Sequence, residues 1–380
     1  METDRVFDFA VIGAGMAGAS VAYRLSGEGA AVAVLEQEDR PGYHSTGRSA
    51  AMFMETYGTA NTRALTRASR DFFLHPPAGF CEHPILSPRG VLYVGQPGQE
   101  DMLETAGRAY LAQNLEIERL GAREVVDMVP CMLEERAVGA IYDPVASDMD
   151  VDGLHQGFLR GMRGHGALLL CDAELQGATR AQGMWTLRTR SATLRAKVLV
   201  NAAGAWADPV ARACGVGEIG IQPMRRSAFL FAGPDGMDFS RWPTVLGADE
   251  SYYFKPDAGT LLGSPANADP VPPQDAAPDE LDIATGIYRI EEVTTLRIRR
   301  PSHVWAGLRS FAPDHEFVIG PDAAAEGFFW LAGQGGYGIQ TAAGASALAA
   351  ALLLGRPVPP ELAAHGVDAA VVDPARLSRR

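Results

Sequence analysis

Three glycines near the start of the chain constrain its fold most. Gly13, Gly15 and Gly18 follow a short apolar run, Phe7 to Ile12 (FDFAVI), and lead into a stretch of small and apolar residues, Ala19 to Leu25. A second apolar run, Ala30 to Leu35 (AAVAVL), is closed by Glu36. The order strand, glycine turn, helix, strand predicts one βαβ unit. Each part of the turn has a physical task. Gly13 permits the tight bend, Gly15 lets backbone approach a pyrophosphate, and Gly18 lets the helix pack on the strand. The helix N-terminus favours the phosphate charge, and Glu36, 18 residues after Gly18, suits a ribose hydroxyl. The pattern predicts dinucleotide binding.

Two further segments repeat the theme. Ala196 to Gly204 (AKVLVNAAG) reads as a strand running into small residues. Gly327 to Ala332 (GFFWLA) leads into Gly333-Gln334-Gly335-Gly336-Tyr337-Gly338 and a helix predicted from about Ile339 to Leu354. Glycine turns at both ends of the chain favour FAD, which is long enough to be held by both, over NAD. The C-terminal helix would aim its positive end at the flavin, where negative charge accumulates on reduction. Between these segments, Gly90 to Val94, Trp185 to Thr189, Ser227 to Phe231 and Tyr252 to Lys255 are polar, aromatic and strand-like, and predict an antiparallel sheet in a second domain. Ser264 to Asp282 is rich in Pro and Asp and predicts a surface loop.

The expected fold class is therefore α/β: a Rossmann-type FAD-binding domain of discontinuous segments (1–85, 150–225 and 312–380) plus an α+β substrate domain with an antiparallel sheet (86–149 and 226–311). Composition narrows the function. The net charge, 33 − 46 = −13, excludes a uniformly basic nucleic-acid surface. Cys81, Cys131, Cys171 and Cys214 form no CxxC and lie near no histidine pair, so neither a zinc site nor a disulfide framework is indicated, and a reducing cytoplasm fits. The longest apolar run, Ala345 to Leu354, is too short for a transmembrane segment. Peripheral contact at the inner face of a membrane is left open.

The segments Gly13 to Gly18, Pro41 to Ala51 (PGYHSTGRSAA), Asn201 to Trp206 (NAAGAW), Arg225 to Phe229 (RRSAF), Lys255 to Ala268, Trp305 to Phe311 (WAGLRSF) and Gly335 to Gly338 resemble the FAD-dependent D-amino-acid oxidase/dehydrogenase (DAO) family, over nearly the whole chain. The likeness is nearest to its bacterial D-arginine dehydrogenases. It implies non-covalent FAD held by the glycine turn with Ala17, by Glu36 and Gln37, and by an arm of His44, Ser45, Thr46, Gly47, Arg48, Ser49, Ala50 and Ala51 whose hydroxyls and arginine cross the pyrophosphate and flavin edge. Glu174, Ala203, Gly204, Gly335, Gly336, Tyr337, Gly338, Ile339 and Gln340 complete the implied contacts, with Gln340 touching the flavin ring or the substrate.

The same resemblance implies a small-molecule D-amino acid as substrate. Arg226 and Arg309 fall on the carboxylate-binding arginines, Tyr57 and Tyr253 on the tyrosines that wall the site, and the Gly336 carbonyl on the acceptor of the substrate amine. Guanidinium matches carboxylate bidentately. Arg225 beside Arg226 makes Arg309 the firmer assignment. No side-chain base is needed if the amine binds neutral and Cα gives hydride to flavin N5, leaving an imino acid that water converts to a 2-oxo acid and ammonia. His155, His303 and His315 have no spacing that supports a catalytic role.

Two positions depart from the D-arginine dehydrogenases: Val91 replaces the glutamate that pairs with a guanidinium, and Met52 replaces a histidine. A substrate cation would stand unpaired beside valine, so neutral or hydrophobic side chains are expected, with Glu55 as the one alternative anion. Rival readings are a peroxide-forming oxidase, oxidation of a secondary amine such as sarcosine, and a flavoprotein subunit that only passes electrons. The electron acceptor, with a quinone or respiratory chain as candidates, cannot be read from the chain.

Overall fold

The computed structural model describes residues 2–113 and 115–377. The first strand, Glu2–Ile12, is central in an eight-stranded sheet, flanked in parallel by Val32–Leu35 and Thr193–Asn201. Leu168–Leu170 extends it on one side, and Phe328–Ala332 pairs in parallel with Thr193–Asn201. Strands from 2 to 332 thus form one sheet, as expected for a cofactor domain made of separated segments. The helix Met16–Gly27 starts directly at the glycine turn, earlier than Ala19. It packs with Val151–Gly164 and Ala342–Leu353 into one apolar core, in which Phe53, Phe73 and Phe158 are fully buried. The helix after the second glycine turn begins at Ala342 and not at Ile339, because residues 336–341 are spent on turns.

Two expectations are corrected here. Trp185 to Thr189 does not join the second domain. It lies in the strand Met184–Thr189, which hairpins back on Leu175–Ala181 through Gln182 and Gly183, both at positive φ, and forms the antiparallel edge of the first sheet. Its alternation is real, and Trp185 and Leu187 bury against Phe328 and Trp330. A two-residue turn with both φ positive favours the local partner. The second sheet is also not purely antiparallel: Thr244–Gly247 runs parallel to Val91–Gly95 within a nine-stranded array.

That array contains Gln222–Phe231, Tyr253–Asp257, Thr260–Ser264 and His303–Phe311. One face, carrying Leu92, Val245, Phe229 and Phe254, packs into its own hydrophobic core. The other faces the cofactor domain. A third, small sheet of Met52–Phe53, Leu86–Pro88 and Ser147–Met149 lies beside it. Residues 264–282 are more than a surface loop: Asp269–Pro270 pairs with Met224 and Arg225, and Ala276 is buried. Gly335 donates its N–H to Ser310 O at 2.8 Å, an isolated bridge joining the two sheets' ends. Among the described residues no helix is long and apolar enough to cross a membrane.

Candidate active site

The glycine turn has the shape its sequence predicts. Gly13 has φ +96°, and a Cβ on it would stand 2.6 Å from Ala202 O. Gly15 is open toward Thr46, whose Oγ1 accepts the Met16 N–H at 3.0 Å. Gly18 has no room at all: a Cβ would lie 1.9 Å from Gly13 O. Glu36 is 7% exposed and accepts N–H bonds from Ala14 (2.8 Å) and Glu38 (3.1 Å). Burial nevertheless pushes its carboxyl upward, against those two bonds. Beneath the turn, buried His155 donates Nε2–H to Ala14 O at 2.8 Å, and burial lowers its pKa, so it is neutral. The side chain is a strut and not an acid or base. His303 stacks on Trp305, and His315 packs on Phe311.

A single cavity runs from Glu36 to Arg309. It is lined by Gly13, Gly15, Ala17, Gln37, His44, Ser45, Thr46, Arg48, Ser49, Ala50 and Ala51, and further along by Glu174, Ala203, Gly204, Gly335, Gly336, Gly338, Ile339 and Gln340. Gly18, Gly47 and Tyr337 do not line it. Gly18 and Gly47 are small for packing reasons, since a Cβ on Gly47 would meet Gly42 O at 2.6 Å. Tyr337 packs edge-on against Tyr57, ring centres 4.9 Å apart. A glycine-floored cleft that ends on a buried carboxylate fits the ADP half of FAD. None of the four cysteines lines it.

The arm 41–51 differs from expectation in one detail. Arg48 lines the cavity but commits its guanidinium to protein acceptors, bonding Ala276 O (2.9 Å), Ala306 O (3.3 Å) and the Asp275 carboxylate. Ser45 Oγ donates to Leu308 O at 2.7 Å, and Trp305 Nε1 donates to Arg48 O at 3.0 Å. The arm is thereby stitched to the second sheet. Gln340 is likewise committed: its amide bonds both backbone groups of Met54 at 3.3 Å and Thr66 Oγ1 at 2.9 Å, so it braces the cavity wall.

At the other end, Arg226, Arg309, Tyr57, Tyr253 and Gly336 line the cavity together. Alternation along Gln222–Phe231 resolves the arginine pair. Arg225 faces out to Asp282 (3.1 Å), Asp269 (3.6 Å) and Asp279 (3.8 Å), whereas Arg226 faces in, its Nε donating to Asn267 O. Arg309 Nη1 donates to the Tyr57 hydroxyl at 3.1 Å. Burial, and then the Arg309 guanidinium, draw Arg226 down to about 10. Burial opposes the Arg309 charge too, but Tyr57 and Tyr253 hold its value up. Among the described residues no carboxylate lies within ion-pair distance of either arginine. Two half-buried cations facing one cavity leave a place for an anion.

Met52 and Val91 also line the cavity, both buried. Glu55 does not line it. Its carboxylate accepts Arg70 Nε at 2.7 Å, which corrects the idea that it replaces the missing glutamate. Sequence reasoning missed Thr244, Leu246, Glu250 and Lys255, all of which line the cavity. Lys255 shares a strand face with Tyr253, a spacing of two that could have revealed it. Glu250 sits on a turn at φ +55° that no sequence pattern announces.

The sequence model described as "DAO: FAD dependent oxidoreductase" matches residues 8–352. The hydrogen cyanide synthase subunit HcnC of Pseudomonas aeruginosa is 25% identical, over 90% of this chain and 90% of its own. Human mitochondrial sarcosine dehydrogenase is 25% identical over 94% of this chain but only 40% of its own length. In three dimensions, glycine oxidase from Geobacillus kaustophilus superposes with a TM-score of 0.83 at 20% identity, covering 96% of this chain and 99% of that one. These relatives carry the resemblance at the level of the family; the narrower likeness to D-arginine dehydrogenases stays a reading of particular residues.

Proposed function

This chain belongs to the DAO family of FAD-dependent oxidoreductases, and on that premise we propose that it oxidatively deaminates D-amino acids with neutral or hydrophobic side chains. FAD, when bound, supplies the two-electron acceptor for the hydrogen and electron pair leaving Cα. The observation that carries the reading is the pair of half-buried arginines, Arg226 and Arg309, which line the same cavity as the glycine cleft with no carboxylate among the described residues at ion-pair distance.

The chain's own groups divide the remaining work. Arg226 and Arg309 bind the substrate carboxylate. The Tyr57 hydroxyl accepts from Arg309, so its proton remains free to donate to the same carboxylate. The Gly336 carbonyl accepts an amine hydrogen and orients the lone pair. Met52 and Val91 flank the side chain with apolar surface, where a guanidinium or ammonium would find no counter-charge. Among the described residues Glu250, on an exposed turn, is the carboxylate that lines the cavity with this group, and no histidine lines this end; in this reading the substrate binds with its amine neutral.

A second reading, oxidation of a secondary amine, draws on human sarcosine dehydrogenase and its family fold, since the same carboxylate clamp accepts an N-methyl amino acid. Anaerobic mixing with neutral D-amino acids, their L-forms, D-arginine and sarcosine, followed by loss of flavin visible absorbance, separates the two. Bleaching by neutral D-forms is expected. Bleaching by sarcosine alone would select the second reading, and bleaching best by D-arginine would overturn the role of Val91. Arg309→Ala should raise KM strongly while FAD stays bound.

A further inference from the structure

The cavity continues past the arginines, and strand register fixes what lines it there. Thr244 pairs with Val91, and Leu246 pairs with both Tyr93 and Tyr253. Because side chains alternate faces, Val91, Thr244 and Lys255 form one row across three strands, and Tyr93, Leu246 and Tyr253 form the next. The intervening Leu92, Val245 and Phe254 point into the core on the opposite face.

Lys255 is 6% exposed, in contrast to the usual solvated lysine. Its Nζ donates to Asp148 Oδ1 at 2.7 Å, and Asp148 Oδ2 accepts Arg89 Nε at 2.6 Å. Two cations share one carboxylate, so the cluster carries a net positive charge. Asp148 is in register with Met52 on the small sheet, and Thr244 Oγ1 reaches Met52 Sδ at 2.8 Å. The cationic cluster therefore closes the end of the cavity bordered by Met52 and Val91. Tyr253 and Lys255 are two residues apart on one strand, about 7 Å, the reach of a side chain of three to four heavy atoms. A lysine ammonium has three donors, and Asp148 occupies one of them.

We propose that Lys255 reads the end of the substrate's side chain, donating a hydrogen bond to a carboxamide or carboxylate terminus and, together with Arg89, repelling ammonium and guanidinium termini. The inference rests on the amino-acid reading above and extends it from apolar side chains to acceptor-terminated ones of the length of glutamine or glutamate. It also adds a second, repulsive reason for the exclusion of cations, independent of Val91.

The test is anaerobic flavin reduction by D-glutamine, D-glutamate, D-norleucine and D-lysine, with sarcosine as a control, in the wild type, Lys255→Met and Lys255→Arg. In the wild type, the second-order rate constant of flavin reduction by D-glutamine should exceed that for D-norleucine by about tenfold, with D-lysine slowest. Lys255→Met should erase the D-glutamine advantage and speed D-lysine about tenfold, whereas Lys255→Arg should keep the wild-type order. A wild-type preference for D-norleucine, or an undiminished D-glutamine advantage in Lys255→Met, would overturn the proposal. If Lys255→Met fails to hold FAD, the wild-type and Lys255→Arg orders decide it. Reduction by sarcosine and by none of the four would instead overturn the amino-acid reading itself, and this inference with it.

Discussion

Gly336 and Arg309 stand so close that a Cβ on residue 336 would lie 2.8 Å from the guanidinium carbon of Arg309. No flexible chain end could yield there, because Arg309 is held by Tyr57. Gly336→Ala should displace the guanidinium and raise KM for the amino acid about tenfold or more, the cost of roughly one charge-assisted hydrogen bond. FAD content and the visible spectrum should not change. Unaltered KM would remove Arg309 from the carboxylate site.

Glu36 gives FAD affinity a pH dependence. Burial raises its pKa above 4.5, and the ionised form is the one that accepts hydrogen bonds from ribose hydroxyls. Bound FAD therefore favours the ionised carboxylate, and affinity should fall on acidification through a value above glutamate's ordinary one. Glu36→Gln should weaken FAD about tenfold and flatten the curve. Fluorescence titration with FAD across that range measures both.

The strut under the glycine turn gives stability, too, a dependence on acidification. His155 titrates below 6.5 in the folded protein, while the unfolded chain takes up its proton near 6.5. Its contribution is thus present above about pH 6.5 and is lost as the pH falls from there toward the lowered folded value. His155→Phe should cost about 1–3 kcal/mol at neutral pH by leaving Ala14 O short of a donor. The variant should also lose part of the fall in Tm below pH 6.5, and a parallel fall in both proteins would show that other groups control it.

The arm 41–51 should release FAD faster when its outer fastening is cut. Asp275 is more than half exposed, so its pairing with Arg48 contributes little, on the order of 0–1 kcal/mol. Asp275→Ala should speed FAD dissociation by a few-fold at most, with the difference shrinking in high salt. A change of a hundredfold would mean that the arm unfolds as a unit.

Much of the cofactor half was legible because strand, glycine turn and helix are local in sequence. Gly13, Gly15 and Glu36 need only their neighbours to be placed. The pairing partner of Trp185 is also nearby, but its polar alternation looks the same in either sheet, and only the Gln182-Gly183 turn decides. Arg225 and Arg226 were ambiguous until the strand's facing was known. The sequence places Lys255 at a strand end and in a family-like segment but gives it no site role, since its burial depends on Asp148 and Arg89, residues more than a hundred positions away. Glu55 looked available because nothing in its neighbourhood reveals that Arg70, one helix away, has captured it.

The bridge between Ser310 and Gly335 has a consequence for substrate tolerance. Arg309 precedes one end of that bridge and Gly336 follows the other, so the groups proposed to grip the carboxylate and to meet the amine are the two jaws of a rigid gauge. Such a gauge measures the spacing of acid and amine on the same carbon and ignores what hangs from it. A β-amino acid, longer by one methylene between the two groups, should be refused even when its side chain is ideal, while α-amino acids of very different bulk pass the same jaws.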